Sequence, residues 1–346
     1  MPVTVAEALG IALKWVAENA ADIRGFSGAY TVGSINIMPP DEPLPSTSDL
    51  DVMVVVDIPD APPKPGKMMV DGVLLEVTYL AKEDVADPER VLGHYHLAPG
   101  VATARILADP SGALDTLRQE VRRSFGDPEW VWRRVGMARH TVLDRVDGID
   151  ADAPLHAQAM SVLFAAGGVP HILLVAAGRN PTVRKRFEAT RALLDEYGQG
   201  EHYGELLALL GSEDIRPETA LRHLDALEPV LAFTGPAIRT PLPFATDLLP
   251  QSRSLAIDGS REGIRSGHHR EAMFWIAVTF TRCMTVLHVD APGRVPDAES
   301  GYRAVLGDLG LSGPDAIAAR GERIRAALPG VETLAREVSR QAWSST

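Results

Sequence analysis

The chain has 346 residues, of which 45% are hydrophobic and 23% are charged, proportions that belong to a folded protein and exclude a disordered one. Its formal net charge of −12 argues against broad electrostatic binding to nucleic acid or to an anionic membrane. The single cysteine, Cys283, excludes an internal disulfide, and no Cys/His spacing typical of structural zinc sites is present. A reducing, cytoplasmic compartment is therefore expected.

The N-terminal third mixes helix and strand patterns. Apolar residues recur at helical spacing from about residue 4 to residue 23. The stretch "GAYTVGS" predicts a short strand that ends in a Gly-Ser turn, and "LDVMVVVD" predicts a strand buried on both faces. A proline-rich loop, "IPDAPPKPGK", follows. The runs "MMV" and "VLLEVTYL" then flank Asp71 and Gly72, a dipeptide that predicts a hairpin.

Helical patterns dominate the remainder of the chain. We place the domain boundary after residue 125, so that an α+β domain (residues 1–125) precedes an all-helical domain (residues 126–346). Two apolar stretches, residues 161–178 and 273–289, approach the length of membrane spans. Glycine and proline in the first and Arg282 in the second favour buried helices instead. Residues 236–262 are expected to form a long loop.

Two aspartates lie at the mouth of the predicted buried strand. Because side chains alternate along a strand, Asp49 and Asp51 should point to the same side. Like charges this close raise each other's pKa unless a divalent cation lies between them. Glu76 would join them if the second hairpin arm pairs beside this strand. The small Gly33-Ser34 turn could bring backbone N–H groups close to a phosphate, and the whole set suits two-metal phosphoryl or nucleotidyl transfer.

The chain resembles the nucleotidyltransferase superfamily, which includes DNA polymerase beta and the bacterial aminoglycoside and other antibiotic nucleotidyltransferases. The resemblance lies in three stretches in this order: "GAYTVGS", "SDLDVMVVVD" and "LLEVTYL". The resemblance covers about the first 125 residues well and the helical remainder loosely. It implies a polymerase-beta-like domain, a mixed sheet with flanking helices, followed by an all-α helical bundle. The spacer before the aspartates is longer than is usual in the family, and this suggests a loop, residues 38–48, inserted at the rim of the site.

The resemblance also assigns roles. Gly33 and Ser34 would form the phosphate-binding turn, Asp49 and Asp51 would bind metal, and Glu76 would be either a metal ligand or the general base. The implied cofactors are two Mg²⁺ ions, and the implied donor is a nucleoside triphosphate, ATP by resemblance alone. We add Ser48, directly before the first aspartate, to the nucleotide-binding set.

Several basic or aromatic residues are weaker candidates. Arg184 and Lys185 offer positive charge for a triphosphate, with a solvated helix face as the equal alternative. For the others a structural role is favoured. His268, His269 and Arg270 are expected to form a helix cap and rim cluster, and His94 and His96 to lie in a surface loop. Trp130 and Trp132 are expected to pack in the core or at the domain seam.

The leading functional hypothesis is transfer of a nucleoside monophosphate to a hydroxyl of a small-molecule antibiotic, either an aminoglycoside-like compound or a nucleoside antibiotic. Such a reaction gives resistance and releases pyrophosphate. One alternative is a toxin–antitoxin-type nucleotidyltransferase that modifies a protein or tRNA, and another is a nucleotide-binding protein without turnover. No nucleic-acid or membrane partner is expected, and a homodimer is suggested by the resemblance only.

Overall fold

The computed structural model describes residues 3–58 and 63–344. The chain divides into two compact units, residues 1–134 and 135–346. The division falls within helix α5 (Pro128–Asp147). Part of the predicted proline-rich loop, residues 59–62, lies outside the described residues. The fold class is α+β: the first unit contains a mixed sheet with flanking helices, and the second is helical.

The sheet of the first unit has five strands in the order β3-β4-β2-β1-β5. Their bounds are β1 (Phe26–Val32), β2 (Leu50–Val56), β3 (Gly66–Val70), β4 (Val73–Ala81) and β5 (Arg105–Ala108). Strands β2 and β4 run parallel, and every other neighbouring pair is antiparallel. The edge strand β5 was not predicted, because four residues carry too little alternation to identify a strand.

Helices cover both faces of the sheet. Their bounds are α1 (Val5–Trp15), α2 (Pro88–Gly93), α3 (Leu97–Thr103) and α4 (Ala113–Ser124). Helix α1 packs on the face that carries Val52 and Val54, while the residues around Tyr30 and Val55 pack with α2, α3 and α4 on the other. Strand β2 is therefore buried on both faces, as its unbroken apolar sequence predicted.

The predicted hairpin is confirmed. Asp71 and Gly72 both have positive φ angles, 46° and 85°, which a two-residue turn between β3 and β4 requires. The turn pairs Val70 with Val73, and this fixes the register of the whole hairpin.

The long spacer, residues 38–48, is tied to the start of α1. The backbone N–H groups of Val5 and Ala6 donate to the carbonyls of Glu42 and Pro40 at 2.9 and 2.8 Å. The Thr4 hydroxyl oxygen accepts the backbone N–H of Glu7, and the Glu7 carboxylate accepts the backbone N–H of Thr4. The spacer thus satisfies N–H groups that a helix start leaves without partners.

The second unit is built around two apolar helices, α6 and α11. The remaining helices are α6 (Leu155–Ala176), α7 (Arg186–Glu196), α8 (Tyr203–Leu210), α9 (Pro217–Thr234), α10 (Gly259–Arg265), α11 (His269–Asp290), α12 (Val295–Asp308) and α13 (Pro314–Ala342). Helices α6 and α11 are long and apolar enough to cross a membrane, but most of each is buried within the unit, as predicted. Gly167 allows Phe274 of α11 to pack closely against α6.

The prediction of a long loop over residues 236–262 was wrong. Within residues 236–262 the chain forms short 3-10 turns, a π-helical turn (Ser254–Asp258) and most of α10, and Leu255 and Ile257 are buried. The Ser, Arg and Gly residues around these positions obscured the apolar pattern. The loop predicted at His94 and His96 agrees with the structure. Both residues lie in the short junction between α2 and α3, where the His94 Nδ1 accepts the backbone N–H groups of His96 and Leu97.

Candidate metal and nucleotide site

The sheet register places four side chains in one row. Lys67 of β3 pairs with Glu76 of β4, Glu76 pairs with Asp51 of β2, and Asp51 pairs with Val32 of β1. Directly paired residues project from the same face of a sheet. Asp49 precedes Asp51 by two positions and belongs to the same side, so Asp49 and the three charged residues of the row form one polar cluster at the start of β2.

Three carboxylates converge in this cluster. One oxygen each of Asp49, Asp51 and Glu76 lies within 4.8 Å of the other two, and all three residues are partly buried. The second hairpin arm thus pairs beside the aspartate strand, which was the condition for their convergence. Such hard oxygen donors are the ligands that Mg²⁺ prefers in proteins, so the cluster fits a divalent cation.

Two lysines already neutralise part of this charge. The ammonium group of Lys67 contacts Asp49 Oδ2 at 2.6 Å and also contacts Glu76 Oε2. Lys64 binds the other oxygen of Glu76, Oε1, at 2.8 Å. Among residues 3–58 and 63–344, Asp51 has no such ion pair with a lysine or arginine.

This difference in partners separates the pKa values of the carboxylates. Burial, together with the charges of Asp49 and Glu76, raises the pKa of Asp51 to about 8. Burial would also raise the pKa of Glu76, but the ammonium groups of Lys67 and Lys64 outweigh it and lower that pKa to about 2. Asp51 is therefore the carboxylate that most needs an added cation, whereas Glu76 is ionised and a weak base.

Gly33 lies against the cluster. Its φ of 85° favours glycine, and a Cβ at this position would come 3.0 Å from Asp51 Oδ2. Ser34, which begins the following 3-10 turn (Ser34–Asn36), is exposed. The Gly-Ser turn thus combines a close backbone approach to a carboxylate with a hydroxyl open to ligands.

Two residues that sequence reasoning missed hold this turn in place. The Asn36 side chain donates to the Thr31 carbonyl at 2.7 Å and accepts the Thr31 hydroxyl at 2.5 Å. The Arg105 guanidinium donates to the carbonyls of Met38 and Asn36 at 3.2 and 3.4 Å. The sequence near Arg105 does not predict this contact, because the carbonyl groups that Arg105 binds lie almost seventy positions earlier in the chain.

Lys67 was also missed, although the sequence contained its position. Once Asp71 and Gly72 are taken as a two-residue turn, equal steps outward from Val70 and Val73 bring Lys67 opposite Glu76. A buried glutamate opposite a lysine indicates an ion pair. The pairing of Glu76 with the aspartate strand could not be obtained in this way.

The other predicted nucleotide-binding residues lie apart in the chain and in different elements. Ser48 is partly buried just before Asp49, and its backbone N–H donates to the Pro45 carbonyl at 2.9 Å. Arg184 and Lys185 belong to a 3-10 turn that precedes α7 in the second unit. Their binding of a triphosphate stays a prediction.

The histidine and tryptophan candidates differ in their surroundings. His268 occupies the N-cap position of α11, but its side chain makes no capping hydrogen bond. The Nδ1 atoms of His268 and His269 are buried without a hydrogen-bond partner among the described residues. Trp130 packs against the core around Tyr30, in agreement with the predicted packing role.

No protein-family model matches the chain, and no curated protein matches its sequence. A crystal structure of a nucleotidyltransferase-like protein from Exiguobacterium sibiricum 255-15 is similar at 13% sequence identity. The alignment covers 84% of this chain and 91% of that chain, with a TM-score of 0.31. Because a similarity this low carries no argument, the functional proposal rests on the carboxylates and the Gly-Ser turn.

Proposed function

We propose that this chain is a magnesium-dependent nucleotidyltransferase that moves a nucleoside monophosphate from a nucleoside triphosphate, with ATP as the first candidate, to a hydroxyl of a small antibiotic. The observation that carries the proposal is the convergence of Asp49, Asp51 and Glu76 on one face of the sheet, beside the Gly33-Ser34 turn. Gly-Ser turns and Asp-x-Asp sequences are common separately. The proposal is supported because both lie beside a third carboxylate, which a parallel neighbouring strand carries.

In the reaction, the acceptor hydroxyl oxygen forms a bond to the α-phosphorus while the bond to the pyrophosphate oxygen breaks. The hydroxyl proton is released and pyrophosphate leaves. Magnesium, held by Asp49 and Asp51, would supply charge neutralisation for the phosphates and for the leaving group. Gly33 and Ser34 would position the phosphates through backbone N–H groups and a hydroxyl.

Glu76 is better suited to charge balance than to proton transfer. General bases work best with a pKa near the operating pH, and both oxygens of Glu76 are held by ammonium groups that keep its pKa near 2. We therefore assign Glu76 to holding Lys67 beside Asp49. Arg184 and Lys185 remain proposed contacts of the triphosphate.

The acceptor is proposed from charge. A net charge of −12 favours a cationic compound such as an aminoglycoside over a polyanion. Acidic residues of the second unit could attract such a compound, although all of them are exposed, as on an ordinary solvated surface: Glu196, Glu201, Glu205, Glu213 and Asp214. A hydroxylated nucleoside antibiotic is the second acceptor to test.

The first experiment is calorimetric titration with ATP, GTP, CTP and UTP in the presence and absence of Mg²⁺. We expect Mg²⁺-dependent binding of one triphosphate, which Asp51→Asn abolishes. The matched control is Asp57→Asn, the same substitution just beyond the other end of β2, which should bind normally. Equal binding by native protein and Asp51→Asn would contradict the proposal.

Turnover is tested by pyrophosphate release with a panel of aminoglycosides and nucleoside antibiotics. Loss of the divalent cation's charge stabilisation in Asp51→Asn should slow release on the order of a thousandfold, while Asp57→Asn should stay near the native rate. A mass increase in the acceptor equal to one nucleoside monophosphate less one water would identify the product.

A second candidate is a nucleotide-binding protein without turnover, and the lysine contacts favour it specifically. Lys64 and Lys67 occupy both oxygens of the third carboxylate, which in the resembled family is a metal ligand or a base. Mg²⁺-dependent triphosphate binding without pyrophosphate release from any acceptor would favour this candidate over the transferase.

A further inference from the structure

The positive charge between Asp49 and Glu76 is the ammonium group of Lys67. The side chain of Lys67 is only 7% exposed, and its ammonium group bridges Asp49 Oδ2 and Glu76 Oε2. Its position in β3 is fixed by the hairpin register, which places it directly opposite Glu76. Because strand pairing determines this location, Lys67 is a built-in part of the cluster.

The lysines also limit which oxygens remain for a metal ion. Lys67 and Lys64 contact both oxygens of Glu76 and one oxygen of Asp49. In the part of the chain that the structure describes, no ion pair or side-chain hydrogen bond reaches Asp49 Oδ1 or either oxygen of Asp51. The remaining donors come from two carboxylates that lie two positions apart, enough to hold one ion.

The charge balance of the cluster also favours one bound metal ion. When a metal ion binds and Asp51 is ionised, the three carboxylates face two ammonium groups and leave one negative charge in excess before the metal is counted. One divalent cation changes the cluster to a single positive charge, which a triphosphate can neutralise. A second divalent cation would add two more positive charges within a few ångströms of Lys67, and such repulsion is costly in a partly buried site.

We propose that Lys67 takes the place of a second metal ion, so that the cluster binds one divalent cation, through Asp49 and Asp51, instead of two. This inference rests on the proposed function, which requires a metal at these aspartates. Lys67 acts as a positioning residue that holds Asp49 and Glu76 together. Lys64 is 32% exposed, and among the described residues its ion pair is with Glu76 and not with Asp49, so its ammonium group does not separate the two carboxylates.

The test counts bound Mn²⁺, a paramagnetic divalent probe, on the full chain without nucleotide by electron paramagnetic resonance. We expect one Mn²⁺ per native chain and none in Asp51→Asn at the same concentration. Lys67→Met, which removes the charge and keeps the length, should bind two. Lys67→Arg and Lys64→Met should each keep one, and circular dichroism checks that every variant is folded.

The outcomes separate this inference from the proposed function. Two ions on the native chain, with Mg²⁺-dependent triphosphate binding intact, would overturn the role of Lys67 and leave the transferase proposal standing. No ion and no Mg²⁺-dependent triphosphate binding would overturn both. A single ion on folded Lys67→Met would refute the assignment to Lys67. If that variant does not fold, the inference is tested by the native chain and Lys67→Arg: one Mn²⁺ on each supports it, and two on either overturns it.

Discussion

The two ends of strand β2 carry the same residue types in different surroundings. At its start, Asp49 and Asp51 face Lys67 in a partly buried cluster. Just after its end, Asp57 pairs with Lys82 at 2.7 Å, and both side chains are more than half exposed. At the buried end, burial and the neighbouring carboxylates raise the pKa of Asp51 to about 8. Burial and the excess of carboxylates, rather than the aspartate–lysine contact, therefore make the first end a candidate site.

The strand between the two ends explains why they differ. Residues 52–56 are apolar and mostly buried, so they hold β2 in the centre of the sheet. At its start, β2 lies between β4 and the Gly-Ser turn, which bring further charges and backbone to the aspartates. Water can screen the charges of Asp57 and Lys82, and exposed pairs of this kind contribute little to stability.

The largest expected effect on stability comes from removing Lys67, and removal of Lys82 at the other end is the matched comparison. In metal-free buffer, Lys67→Met should lower the free energy of unfolding by about 3–5 kcal/mol, because it leaves the partly buried Asp49 without its ion pair and Glu76 with Lys64 alone. Lys82→Met should change it by less than about 1 kcal/mol, since that pair is exposed. Urea denaturation of both variants measures the difference. Equal effects at the two ends would show that burial does not distinguish them.

A smaller effect of opposite sign is expected for Asp51→Asn. The carboxyl of Asp51 ionises near pH 3.8 in the unfolded chain and near pH 8 in the folded one. Between these values the folded state binds more protons, so native stability falls as pH rises. Asn removes this loss, and the metal-free variant should be more stable than the native protein by about 1–3 kcal/mol at pH 8 and by less at pH 5.

Glu76 does not interfere with this test. Its pKa is lowered from 4.5 to about 2, so the stability that it contributes is present above pH 4.5 and is lost as pH falls toward 2. Denaturation between pH 5 and pH 8 in the presence of a chelator therefore isolates Asp51, with Asp57→Asn as the exposed control. A constant difference between Asp51→Asn and native protein across this range would contradict the raised pKa.

The smallest effect concerns the pH dependence of metal binding. Because Mg²⁺ binds the ionised carboxylate, its affinity should increase with pH up to about pH 8, by at most about tenfold per pH unit, and then level off. At pH 7, binding should release protons, which calorimetry detects as a heat that changes with the ionisation enthalpy of the buffer. An affinity that is flat from pH 6 to pH 8 would show that Asp51 is already ionised.

Local chemistry made much of the first unit predictable. The φ requirement at Asp71 and Gly72 indicated the hairpin, and the unbroken apolar run of β2 indicated a strand covered on both faces. Predictions weakened where composition obscured the pattern. The buried Leu255 and Ile257 lie among polar residues, and the short edge strand β5 has too few residues to show a periodicity.

The sequence by itself determined the chemical inventory of the candidate site: Gly33 and Ser34 in a turn, two aspartates on one side of a strand, and, through the hairpin register, Lys67 opposite Glu76. These relations depend on strand alternation and turn geometry, which act over a few residues. Only the tertiary structure decided that β4, and not β3, lies parallel to β2 and pairs Glu76 with Asp51. Strand order depends on burying both faces of the sheet beneath helices far apart in the chain, and no short stretch of sequence encodes it.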